Sequence, residues 1–194
     1  MATKAKREID VLTVQEIQQL MAGCSPTCAT GLRNRALIVA MWRGGLRVSE
    51  AIKLAPKDFD PAKGTLRVHN GKGGKSRTVG IDPQAVAVIG QWLAARKELG
   101  ANGKQALLCT TRKTSLTRIY VFKLLKRLAA EAGIDKRVHP HGLRHTHASE
   151  LLTEGAHVGI ISKQLGHSSI STTARYLDHI QPQAVIDFTA KRSW

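Results

Sequence analysis

A mostly α-helical fold with one small antiparallel β-sheet or hairpin is what this sequence predicts, and two observations predict it. Apolar residues recur three and four positions apart through most of the 194-residue chain, the spacing that gathers side chains on one helix face. Only between Thr65 and Ile81 does the period shorten to two, the alternation of a strand. A third observation bears on partners. Thirty lysines and arginines face 14 acidic residues, a net charge of +16, which draws the chain to a polyanion, either nucleic acid or an anionic membrane surface. No uncharged apolar run approaches the roughly 18 residues of a membrane span, and the basic start MATKAKRE leads into polar sequence. A cytoplasmic, nucleoid-associated protein with no membrane partner is therefore expected.

Residues 1–10 read as a basic, loosely held arm. Thr13 and Glu16 form a capping box ahead of Val14, Ile17, Leu20 and Met21, so a first helix is expected over about 13–22. GCSPTCATG, residues 23–31, combines glycine, proline and small polar residues and reads as a loop. Dense apolar positions from Leu32 to Trp42 predict a largely buried helix, which Gly44-Gly45 ends. A short turn of helix follows from Leu46-Arg47 to Leu54, stopping before Pro56. The alternation around NGKGGKSR predicts a basic, glycine-rich hairpin. Asp82-Pro83 supplies an N-cap and a first-turn proline for a helix bearing Val86, Ile89, Leu93 and Leu99. Ala106 to Thr110 is expected as a short buried strand. A longer helix over about 115–132 is assigned an apolar face of Ile119, Phe122, Leu125 and Leu128, closed by Gly133. Further helices are expected over Gly142–Thr153, about 158–165, about 171–178, and from Pro182 onward. No internal repeat or low-complexity linker interrupts the series.

Chemistry concentrates between His139 and Tyr176. His141 and Arg144 lie three apart on a helix and share a face, and His167 and Tyr176 follow on short elements. Arginine suits phosphate because its planar guanidinium presents a fixed fork of donors and keeps its charge. Arg47 and Arg144 stand out because each begins a helical turn beside glycine, where backbone N–H groups also point at an anion. Tyr176 is a weak nucleophile at its free pKa and needs nearby cations to stabilise phenolate character. Lys72 in the hairpin turn is either a solvent-facing charge or a mobile general acid, with Gly71, Gly73 and Gly74 permitting close approach to a backbone. Lys75 and Arg77 read as clamps on DNA phosphates. The histidines suggest zinc at first sight. However, HExxH is absent, only His141 and His145 in the first cluster are spaced i,i+4, and Cys24, Cys28 and Cys109 form no repeated CxxC. No metal and no cofactor is expected, and without a compact Asp/Glu cluster two-metal nuclease chemistry is disfavoured.

Four segments in order resemble the motif series of the tyrosine recombinases, the phage-integrase family: GLRVSEAIKL at 45–54, VHNGKGGKSRTVGI at 68–81, HGLRHTHA at 141–148 and LGHSSISTTARYLDH at 165–179. The resemblance implies the catalytic-domain fold of that family over residues 11–180, followed by a C-terminal helix or tail at 181–194 that exchanges between subunits. It implies that Arg47, Lys72, His141, Arg144, His167 and Tyr176 are catalytic, with Glu50 and His145 in support. By that resemblance Tyr176 attacks a scissile phosphate, the arginines and histidines stabilise the phosphorane oxygens, and Lys72 protonates the leaving 5′-oxygen. The implied partners are double-stranded DNA with a specific recombination site, sister subunits in a tetramer on synapsed DNA from a free monomer, and accessory DNA-bending proteins. The chain departs from the family pattern at Gly44, where a small polar residue is usual. It also reaches its first catalytic-domain helix at Thr13, where most relatives first carry a core-binding domain, so a short form like the fimbrial-switch recombinases, an excised catalytic domain or a natural remnant is expected. Two alternatives stand beside this reading: a noncatalytic DNA-binding module built around a helix-turn-helix at 157–178, and a DNA-relaxing enzyme like the type IB topoisomerases.

Overall fold

The computed structural model describes residues 11–69, 76–167 and 190. The arm at 1–10, the hairpin turn at 70–75, the helices expected over 171–178 and from Pro182, and with them Lys72, Lys75 and Tyr176, lie outside the described residues. Described elements run in the order α1 (Val14–Ala22), α2 (Ala29–Trp42), α3 (Val48–Ala51), a 3₁₀ turn (Pro56–Asp58), β1 (Phe59–Asp60), β2 (Thr65–Val68), β3 (Arg77–Gly80), α4 (Pro83–Glu98), α5 (Arg118–Glu131), α6 (Pro140–Thr153) and α7 (Val158–Leu165).

Helix α2 is the axis of the molecule. Residues on all its faces are buried, among them Ala36, Leu37, Ile38, Val39, Ala40 and Met41, so it needs neighbours all round, and α1, α3, α4 and α6 supply them. It starts earlier than the sequence suggests, because the Cys28 sulfur accepts the Gly31 N–H and caps it; the expected loop gives up its last three residues to the helix. Both halves of the Thr13–Glu16 capping box form at α1. Thr13 and Asp82 cap their helices as their sequence positions indicate.

The sheet is antiparallel in the order β1-β2-β3. Leu66 pairs with Val79, and both point into the core with Val68. The third strand is Phe59–Asp60, not Ala106–Thr110 as the sequence reading expects. Backbone carbonyls of that second segment are taken by side chains from α4. Trp92 Nε1 donates to the Leu107 carbonyl at 2.7 Å, and the Arg96 guanidinium donates to the carbonyls of Ala101, Asn102, Gln105 and Ala106. Only an isolated bridge, Cys109 to Ser115, remains of the strand. A second correction concerns α5, where Ile119 and Phe122 are exposed and the buried face is Val121, Leu124, Leu125 and Leu128. Leucines recur on both candidate stripes, and the direction of the core chose between them.

Candidate active site

Gly45 makes the turn between α2 and α3 with φ of +61°, a conformation that a side chain disfavours. A Cβ there would also fall 2.7 Å from Cδ2 of His147, so the backbone passes directly beneath α6. The reversal puts Arg47 at the N-cap of α3. Three residues on, the buried Glu50 carboxylate turns back and accepts from the Arg47 backbone N–H and from Arg47 Nη1, each at 2.9 Å. Arg47 is thereby aimed while its side chain stays 28% exposed, within reach of a ligand.

Helix α6 carries the second set. His139 caps it by accepting the Gly142 N–H on Nδ1, and Pro140 occupies the first turn. Glu150 fixes its far end by accepting from Trp42 Nε1 and from Arg43 Nη1. Arg144 is fully buried, and its guanidinium donates to the carbonyls of Gly45 and Leu165, both at 2.6 Å. Those two bonds tie α6 to the α2–α3 turn and to the end of α7. His141 and His145, one turn apart, meet edge to face with ring centroids 4.3 Å apart.

The third contribution comes from β3 and α7. Alternation puts Arg77 on the same face as Val79, so its side chain turns inward instead of standing over the surface. Arg77 Nη1 and Nη2 each donate to one oxygen of Glu50 at 2.9 Å, and Nε donates to the Gln164 carbonyl at 3.2 Å. The Gln164 side-chain amide pairs with both backbone groups of Gly80 and bolts α7 to the open edge of the sheet. Helix α7 ends at Gly166 with φ of +67°, and His167 follows with its N–H on the Ser162 carbonyl.

Electrostatics follow from this gathering. Burial lowers the His167 pKa to about 4, with the fields of Arg144, Arg47, His141 and Arg77 adding to the effect. Burial likewise brings His145 to about 3, and it lowers His141 with help from Arg144, His139 and Arg47. All three imidazoles are neutral near pH 7, each with a donor and an acceptor nitrogen. Burial opposes ionisation of Glu50, yet the bonds from Arg77 and Arg47 overcome it and hold its pKa at about 2. One carboxylate thus serves two guanidiniums, and the centre stays cationic.

Of the residues singled out from sequence, Arg47, Glu50, His141, Arg144, His145, His167 and Arg77 come together from separate parts of the chain. Sequence reasoning missed Gln164 as the bolt between α7 and β3, and Gly45 as the carbonyl that orients Arg144. It also missed Gly166, where a Cβ would sit 2.7 Å from Cδ of Arg77. For Gly45 and Gly166 the available signal was their place inside the motifs at 45–54 and 165–179; Gln164 lies one residue before the last of them.

Fold and site together define a cationic centre of arginines and neutral histidines on a mostly helical scaffold with a small sheet. The phage integrase family model matches residues 10–182, and the chain belongs to that family. Tyrosine recombinase XerD of Lacticaseibacillus casei is 38% identical over 185 residues, spanning 94% of this chain and 62% of the relative. XerD of Ralstonia nicotianae is 36% identical over 177 residues, spanning 90% and 58%. The chain therefore covers about three fifths of the length of these curated relatives. Among solved structures, XerA recombinase superimposes with a TM-score of 0.84 at 27% identity, over 97% of this chain and 68% of that one. XerH site-specific recombinase, in a post-cleavage complex with a palindromic difH substrate, gives 0.77 at 26% identity over 97% and 55%.

Proposed function

We propose that this chain breaks and rejoins duplex DNA at specific recombination sites through a 3′-phosphotyrosyl intermediate on Tyr176. One observation carries the reading: Arg47 and Arg144 converge with His141 and His167 on a common centre, as phosphoryl transfer without a metal requires. The Tyr176 hydroxyl oxygen attacks the scissile phosphorus as its proton passes to a neutral imidazole of the site, His141 or His167, the bond from phosphorus to the 5′-oxygen breaks, and Lys72 gives the leaving oxygen its proton. A 5′-hydroxyl from the partner strand then attacks the phosphotyrosine, and the steps reverse. The two arginines oppose charge on the non-bridging oxygens, while the neutral histidines donate hydrogen bonds to them. Lys75 contacts the DNA backbone outside the reacting phosphate. XerH, solved bound to its palindromic difH substrate, supports DNA as the partner. Assembly from free monomers into a tetramer on synapsed sites, accessory DNA-bending proteins and a nucleoid location belong to the same reading.

The test is a nicked duplex carrying a candidate site, in which the cleaved fragment diffuses away and traps the adduct. The expected result is a covalent band on a denaturing gel that peptide mapping places on Tyr176 and that the Tyr176→Phe variant lacks. Site binding without any adduct would overturn the proposal in favour of a noncatalytic module.

A further inference from the structure

Arg77 has the composition of a DNA contact and the geometry of something else. It lies five residues beyond Lys72 in the basic hairpin, in a chain with a net charge of +16, where an arginine is expected to meet phosphate. Its side chain is only 13% exposed, and its guanidinium is forked onto both oxygens of Glu50. The same Glu50 oxygens accept the Arg47 side chain and backbone. Nε of Arg77 holds the Gln164 carbonyl at the end of α7, two residues before Gly166 and three before His167. Gly166 has no room for a Cβ because the Arg77 side chain fills that space.

We propose that, within the cleavage reaction proposed above, Arg77 is a positioning residue and not a phosphate clamp. It joins the hairpin strand to α3 and to the end of α7, setting the direction of Arg47 through Glu50 and the place of His167 through Gln164 and Gly166. The requirement is for a fork. A lysine supplies one point of charge and cannot satisfy two carboxylate oxygens and a carbonyl in one plane. Without it Glu50 keeps a single guanidinium partner and loses its tie to β3, so the carboxylate that aims Arg47 is no longer held in place.

Two measurements decide the matter. The first is the salt dependence of binding to plain duplex DNA, compared between the native chain and the double variant Arg77→Met with Glu50→Gln. That pair of changes removes one positive and one negative charge and leaves the local sum unaltered. A positioning role leaves the slope of log affinity against log salt unchanged; a phosphate clamp lowers it by about 0.9. The second is the single-turnover rate of adduct formation at saturating nicked duplex. Arg77→Lys, which keeps the charge and most of the stem, is expected to bind DNA within about twofold of the native chain yet cleave about 100-fold more slowly, the scale of a small misplacement of a reacting group. Adding Glu50→Gln to Arg77→Met should slow cleavage no further than the worse single change, because both break one unit. A Lys variant that cleaves at the native rate, or a slope reduced in the double variant, overturns the proposal. If the native chain forms no adduct, the recombinase reading falls, and the salt slope alone still decides whether Arg77 contacts phosphate. If the Met variants do not fold, the Lys variant decides through its cleavage rate: a rate about 100-fold below native with DNA binding kept supports the positioning role, and a native rate overturns it.

Discussion

Replacing His147 should flatten the acid sensitivity of folding. The ring is 5% exposed on α6, and its pKa is pushed down to about 4, by burial first and then by the fields of Arg43 and Arg144, with Asp82 opposing. Its Nε2 lies 3.4 Å from the Gln164 amide nitrogen, an arrangement that suits a neutral ring accepting a hydrogen bond from the amide N–H. In the unfolded chain the ring takes up a proton near the ordinary value of 6.5. A histidine with a lowered pKa contributes stability that is complete above 6.5 and declines as the pH falls toward 4, because the unfolded state then binds more protons than the folded one. Between about pH 8 and about pH 5 the loss amounts to about 2 kcal/mol from this residue. The His147→Gln variant keeps a polar group beside Gln164 and has nothing to titrate. Urea unfolding across that range should show a variant that starts less stable at the alkaline end and loses about 2 kcal/mol less than the native protein on acidification. Equal losses in both proteins would refute the buried neutral imidazole.

Three other outcomes follow from the same geometry. Glu50→Gln removes a carboxylate held at about 2, whose stabilisation is complete above the ordinary 4.5 and vanishes as the pH drops through the folded value. The native protein should lose about 2 kcal/mol between neutral pH and about pH 3 that the variant does not, read by thermal or urea melts. Gly166→Ala places a methyl against Arg77 at a positive φ; a stability loss of about 1 to 2 kcal/mol is expected, together with slower adduct formation. Arg96→Met strips donors from four carbonyls in the 101–106 loop and should cost about 3 kcal/mol in urea unfolding, with hydrogen exchange rising in that loop first.

What the sequence by itself determined is local. The capping box at Thr13, the Asp82-Pro83 helix start and the alternation of the hairpin each act within a few residues, so their physics is present in the string. The motifs likewise named Arg47, His141, Arg144 and His167 without a fold. Tertiary structure decided which of two stripes on α5 is buried, and the Ile119 and Phe122 face lost because periodicity fixes a face but not the direction of the core. The strand expected over Ala106–Thr110 gave way where Trp92 and Arg96 on α4 claimed the carbonyls of Leu107 and Ala106. The inward turn of Arg77 was also a tertiary decision. Its charge pointed to a DNA phosphate, while the register of β3 and the buried carboxylate of Glu50 brought it inside, because a buried carboxylate needs paired donors more than a surface needs another cation.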